Sequence, residues 1–302
     1  MAKMKRGATT VTEFPIAAQT QSSPAHGGWV SIPRSLGRIN NRLYRDHQNY
    51  YASVSLNSAA QTSSPILVYT LAPSWYVQGA LRAAKKMHDK AMREERKTVK
   101  QARWYDFRLD VDIDSALYDE MLPYGITQGM TGIAAHSITN GEIRESVVTD
   151  ASGNNRVFTL RSTTGTGRPA GTAYNVFQEY DAMADVAPDN PAVVSGTAPY
   201  DDLTAENDTE NMANLQFRGD APPYNRDSFD AYWVQVGELY VNAQGAQSLS
   251  TGMFQAPLGV VLLTGPGGSG FGDIDGGVNI DKARLNLHVA PGNYKGVHVD
   301  AL

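Results

Sequence analysis

Apolar and polar positions alternate with a period of two along much of this chain. Ala52, Val54 and Leu56 alternate with Tyr51, Ser53 and Ser55, and Leu285, Leu287 and Val289 alternate with Arg284, Asn286 and His288. Successive strand side chains point to opposite faces, so both patterns predict half-buried strands. Phe107, Leu109, Val111 and Ile113 oppose Arg108, Asp110, Asp112 and Asp114 in the same way, which makes these aspartates the wet face of a strand. Further β-like runs occupy 29–32, 50–56, 66–71, 174–180, 229–241, 254–264 and 283–289. A hairpin is expected where 146–148 and 157–161 flank the turn-forming residues 150–155.

The period changes over residues 74–104. Pro73 stops the preceding run, Ser74 is an N-cap, and Val77, Leu81, Ala84, His88 and Ala91 recur at helical spacing. This predicts one helix of up to about 29 residues, roughly 43 Å long at ~1.5 Å per residue. Its apolar stripe is narrow and built from small residues, so it belongs on a surface. Nine Lys/Arg against three acids give the segment a net charge of +6 (9 − 3).

No repeat recurs at a fixed period, and the βαβ alternation of a doubly wound sheet is absent. About ten to thirteen short strands with turn signals between them predict a mainly β fold, an antiparallel β-sandwich or jelly roll, with one long inserted α-helix over about 74–104. A double jelly roll is the alternative. Residues 1–28, rich in Ala, Thr, Gln, Ser and Gly and without hydrophobic period, read as a flexible basic N-terminal arm. Residues 181–228 carry 10 acids against 2 Arg and read as a functional surface loop or an excursion with its own small structure.

Composition narrows the chemistry. With no cysteine there is no disulfide, thiolate nucleophile or zinc-thiolate site. No apolar core of a signal peptide follows the basic start, and no stretch approaches the roughly 18 apolar residues of a membrane span, so a soluble, unsecreted product is expected. The net charge of −5 conceals polarity: residues 1–104 carry 16 Lys/Arg against 5 acids (+11), and residues 105–302 carry 10 against 26 (−16). Such asymmetry makes the basic part a candidate for nucleic acid, unless the charges interleave in space.

No catalytic motif is complete in this sequence. Within VVLLTGPGGSGFG, residues 260–272, the glycines satisfy the letter of G-x-G-x-x-G, but the continuation FGDIDGGVN cannot make the helix that would hold a pyrophosphate. No Lys completes a Walker loop, and Phe271 stands where a nucleophile elbow needs Gly. The apolar half reads as a core strand and the glycine half as a surface loop. Asp110, Asp112 and Asp114 start like a calcium loop, but Ser115 and Met121 occupy its Gly and Glu positions. A second acidic cluster, Asp273, Asp275 and Asp281, could hold calcium in a loop, and a solvated glycine turn is its simpler reading. The six histidines show no metal-ligand spacing. No cofactor is expected, and the chain reads as no enzyme. Paired carboxylates of a glycoside hydrolase would leave no spacing, so a carbohydrate-binding or carbohydrate-cleaving β-sandwich, such as a phage fibre module, stays open.

The basic residues carry the positive signal. Lys3, Lys5 and Arg6 lie on the arm, and Arg34, Arg38, Arg42 and Arg45 follow at steps of three or four. On the predicted helix Arg82, Lys86, Lys90, Arg93, Lys97 and Lys100 share a broad face. They are candidate non-specific phosphate contacts. A solvated face steadied by pairs such as Asp89–Arg93 is the other reading.

A β-rich chain with a basic arm, an acidic remainder, long acidic loops, no cysteine and no catalytic signature resembles the jelly-roll coat proteins of small tailless icosahedral viruses with single-stranded DNA. The resemblance lies in architecture and charge layout. It implies a shell domain over 29–302 that self-associates into an icosahedral virion, with residues 1–28 turned toward the packaged genome. Loop 181–228 would be displayed or make subunit contacts, and minor or spike virion proteins would be further partners. Calcium between subunits is a possibility that no motif supports. Tyr50, Tyr51, Trp75, Tyr76, Trp104 and Tyr105 would be interface anchors, unless they pack in the core.

Overall fold

A computed structural model describes residues 11–15, 27–57, 65–93, 97, 105–111, 118–120, 145–150, 152–160, 173–177, 179–180, 232–241, 247–264 and 284–302. The fold is mainly β, with several antiparallel sheets and, among the described residues, two helices of more than one turn. In chain order the elements are β1 (Val11–Pro15), β2 (Gly27–Ser31), α1 (Ile32–Asn40), β3 (Gln48–Asn57), β4 (Ile66–Leu71), α2 (Trp75–Ala91), β5 (Tyr118–Glu120), β6 (Val147–Thr149), β7 (Asn155–Thr159) and β8 (Ala173–Asn175). There follow β9 (Trp233–Val241), β10 (Gln247–Ser248), β11 (Phe254–Pro257), β12 (Val260–Thr264), β13 (Arg284–Val289), β14 (Pro291–Gly292), β15 (Gly296–Val297) and β16 (Val299–Ala301).

Two large sheets hold most of these strands. One has the order β1-β13-β3-β11, with β16 also on β3, and the other the order β10-β9-β4-β12-β2-β5. Every pairing in them is antiparallel except β2 with β5. Setting aside the short β5, β10 and β16, the pairing is nested. β1 pairs β13, β2 pairs β12, β3 pairs β11 and β4 pairs β9, so the first strand meets the last and each later strand meets the next one inward.

Alternation decides which side chains lie between the sheets. Tyr50, Ala52, Val54 and Leu56 of β3 and Leu285, Leu287 and Val289 of β13 meet Val30, Ile66, Val68, Leu239, Val261 and Leu263 from the second sheet in one buried cluster. Each fully buried aliphatic side chain there stabilises the fold by about 1.5–3 kcal/mol. The other face of the second sheet is covered as well. Trp29, Leu71, Trp233, Val260 and Leu262 pack with α2, the 105–111 segment and the three-stranded sheet β6-β7-β8 in a second cluster. Burial on both faces explains the unbroken apolar run of β12, in which every residue is buried.

The expected strand over 254–264 is two strands in different sheets. Pro257 offers no N–H, Leu258 and Gly259 take positive φ (57° and 65°), and the Gly259 N–H closes the turn on the Ala256 carbonyl at 2.9 Å. A Cβ on Gly259 would lie 2.6 Å from Pro33 Cδ and 2.9 Å from Tyr50 Cδ2, so only glycine fits this corner. The basic arm also needs correction, because Val11–Pro15 is an edge strand on β13. β6 and β7 form the expected hairpin, its turn held by Asp150, which accepts from the Ser152 and Asn154 N–H groups at 2.9 Å. The 174–180 run is strand only to Asn175, after which the chain turns helical at 176–177. Loop 181–228 and the glycines of 265–272 lie outside the described residues.

Candidate nucleic-acid interface

Helix α2 begins where the sequence places it. The Ser74 hydroxyl accepts from the Val77 N–H at 3.3 Å, satisfying one of the first-turn donors. Tyr76, Val77, Ala80, Leu81, Ala84 and His88 are buried. Tyr76 stacks on Phe177 and Tyr232, and Gly79 lies so close to Tyr180 that a Cβ would approach its hydroxyl to 2.7 Å. Ala91, predicted in the apolar stripe, is exposed. The helix ends at Ala91 with Met92 as its C-cap, and most of the remaining predicted helix to residue 104 lies outside the described residues.

The opposite face is basic. Arg82, Lys86 and Lys90 on it are exposed, as are Arg93 and Lys97 beyond the end of the helix. Trp75, at the start of the helix, is 71 % exposed although it is among the largest apolar side chains of the chain. The acid on this helix is already engaged, since Asp89 pairs with Lys85 one turn back instead of with Arg93. Arg82 donates to Gln78 Oε1 at 3.3 Å.

The structure moves Arg34 off the predicted basic surface. Its side chain is buried, with Nη2 donating to the Leu109 carbonyl at 3.1 Å, Nε 3.5 Å from Asp46 Oδ2, and its guanidinium over the Trp29 ring. It joins the β2–α1 junction to the 105–111 segment and is not placed to meet a phosphate. Arg38, one turn on, is half-buried in the last turn of α1. Arg45 donates to Asp106 Oδ1 and to the Tyr105 carbonyl, both at 3.0 Å. Lys3, Lys5, Arg6 and Lys100 lie outside the described residues. Of the predicted anchors, Tyr50 and Tyr76 are core residues, Tyr51 and Tyr105 are half-buried, and Trp104 lies outside the described residues.

Sequence reasoning missed a buried charge cluster. Asp106 accepts from Arg45 and from the Asp46 N–H, and His47 Nδ1 lies 3.4 Å from it. Burial opposes its ionisation, but His47, the Asp46 backbone and Arg45 together hold its carboxyl below the usual range. Burial pushes the neighbouring Asp46 carboxyl up to about 6, with Asp106 adding to the rise and Arg34 and Arg108 opposing it. Asp46 and Arg34 border a narrow cleft with Ser31, Phe107, Leu109, Val111, Leu258 and Val260, too small to hold a substrate. The expected wet face of 107–113 is therefore partly inside, with Arg108 buried and Asp110 half-buried. Arg34-x11-Asp46 has no motif spacing, so no local signal marks it.

Among the described residues no three His, Asp or Glu side chains come together as a metal site. The suggested calcium clusters are largely outside those residues. No described helix is long and apolar enough to cross a membrane. Comparison of the chain with protein-family models, curated proteins and solved structures finds no match.

Proposed function

We propose that this chain is a single jelly-roll coat protein, a structural subunit that self-associates into a closed icosahedral shell around nucleic acid. The observation that carries the reading is the nested strand pairing. First with last, second with second-last and so on inward is the pairing of one long antiparallel ribbon, and folding that ribbon across two facing sheets is the jelly-roll wrapping. Eight strands complete one such unit, which favours a single over a double jelly roll. The charge layout adds support, because α2 turns an exposed basic face away from the sheet. A shell subunit acts through repeated interfaces, and the exposed cations and Trp75 of α2 offer charged and aromatic surface for such contacts.

Size-exclusion chromatography and negative-stain microscopy of the full chain, with and without added oligonucleotide, test the reading. Uniform closed particles of the order of tens of nanometres, holding nuclease-protected nucleic acid, are the expected result. A stable monomer or trimer that binds glycans and never assembles would overturn it in favour of a carbohydrate-binding sandwich.

A further inference from the structure

The outer face of α2 combines two features that phosphate binding alone does not require together. At about 100° per residue, positions 75, 82 and 86 fall within roughly 20° of one line along the helix, and Lys90 lies about 40° further round. Trp75 therefore heads a line of cations directly opposite the buried stripe of Val77, Ala84 and His88. Ser74 fixes that end of the helix by its cap, and Trp75 meets the buried Tyr76 ring edge-on at 5.9 Å. The indole is thus attached to a rigid element yet left 71 % exposed.

We infer that this face is a platform for single-stranded nucleic acid, with Trp75 stacking on an unpaired base while Arg82, Lys86 and Lys90 hold successive backbone phosphates. The inference deepens the shell reading and rests on it for the source of the strand. An unpaired base has a free π-face, and stacking on an aromatic side chain is a general way to bind single strands without reading sequence. A duplex conceals those faces, so the indole would gain nothing from it. An acidic protein surface would satisfy the cations but leave the indole without a partner, which favours nucleic acid over a second copy's acidic segments.

The test uses the full-length chain, fluorescently labelled oligothymidylate and oligouridylate, and a duplex of equal length, read by anisotropy across a salt series. Either single strand should bind more tightly than the duplex, and the preference between the two tells DNA from RNA. Trp75→Ala should weaken single-strand binding about 5- to 100-fold with little change in salt slope, and Trp75→Phe should restore most of it. Arg82→Gln with Lys86→Gln should flatten the salt slope on the single strands by about 1.4 and weaken both of them alike. Equal affinity for duplex and single strand, or no effect of Trp75→Ala, overturns the platform. The same follows if these variants leave nucleic acid binding unchanged and instead disrupt contact between copies. Particles that assemble and package normally with Trp75→Ala would sink the platform while leaving the shell standing. A monomer that binds oligothymidylate through Trp75 would do the reverse.

Discussion

The Asp46 N–H donates to the Asp106 carboxylate at 2.9 Å across sixty residues of chain. This bond, with Arg45 on the other carboxylate oxygen, ties the loop before β3 to the segment that follows α2. Removing this buried carboxylate leaves the Asp46 N–H without its acceptor and the Arg45 cation without its anionic partner, with only the Tyr105 carbonyl still accepting from Arg45. Asp106→Ala should therefore destabilise the fold by about 3 kcal/mol at neutral pH, measured by urea unfolding.

The same two carboxyls should give opposite pH dependences. An unfolded aspartate ionises near 3.8, whereas folded Asp46 keeps its proton up to about 6. Between those values the folded state binds more protons, so the contribution of Asp46 to stability falls as pH rises from about 4 to about 6. Asp106 is held below the ordinary range, so its contribution is complete above about pH 4 and is lost as pH falls through its folded value. In unfolding series against pH, Asp46→Asn should remove the decline between about 4 and 6, and Asp106→Asn should remove the loss on the acid side. Exchanged behaviour of the two variants would contradict the assignment.

Gly259 should tolerate no side chain. Its φ of 65° and the 2.6 Å approach of a Cβ to Pro33 Cδ combine a left-handed backbone with a steric clash. Gly259→Ala should cost about 3 kcal/mol by denaturant unfolding, whereas Gly252→Ala, also at positive φ but with open space around it, should cost only about 1.

Leu262 and Leu263 are adjacent in β12 and enter different clusters. Because both faces of their sheet are covered, Leu262→Ala and Leu263→Ala should each cost about 3 kcal/mol. If Leu262→Ala were nearly neutral, the layer of α2 and the 105–111 segment would not be packed on that face.

Two truncations isolate the contribution of β1. Removing residues 1–10 spares Val11–Pro15 and sets the reference thermal midpoint. Removing residues 1–15 should lower it and raise aggregation, since it uncovers the β13 edge along its register with β1. Equal midpoints for the two truncations would show that β1 contributes nothing to stability.

Much of the fold is legible locally. The alternation at 52, 54 and 56 and at 285, 287 and 289 identifies side chains that are indeed buried between sheets. Ser74 marks the start of α2 because capping is a matter of adjacent residues. The candidate basic face was legible in the same way at Arg82, Lys86 and Lys90, since helical spacing says which residues share a side. Arg34 was not, because steps of four place it with Arg38 and carry no information about Asp46 or Leu109.

The amino-acid sequence by itself determined the local periods, the caps and the breakers, since each depends on backbone geometry within a few residues. Tertiary structure alone decided what covers each face. It put β11 and β12 in different sheets, buried VVLLT on both sides, drew Arg34 inward to Asp46 and left Trp75 outside. A period states which residues point together, but it does not state what they point at. That is set when strands distant in sequence close on one another and burial of apolar area outweighs the cost of enclosing a charge that has found its partner.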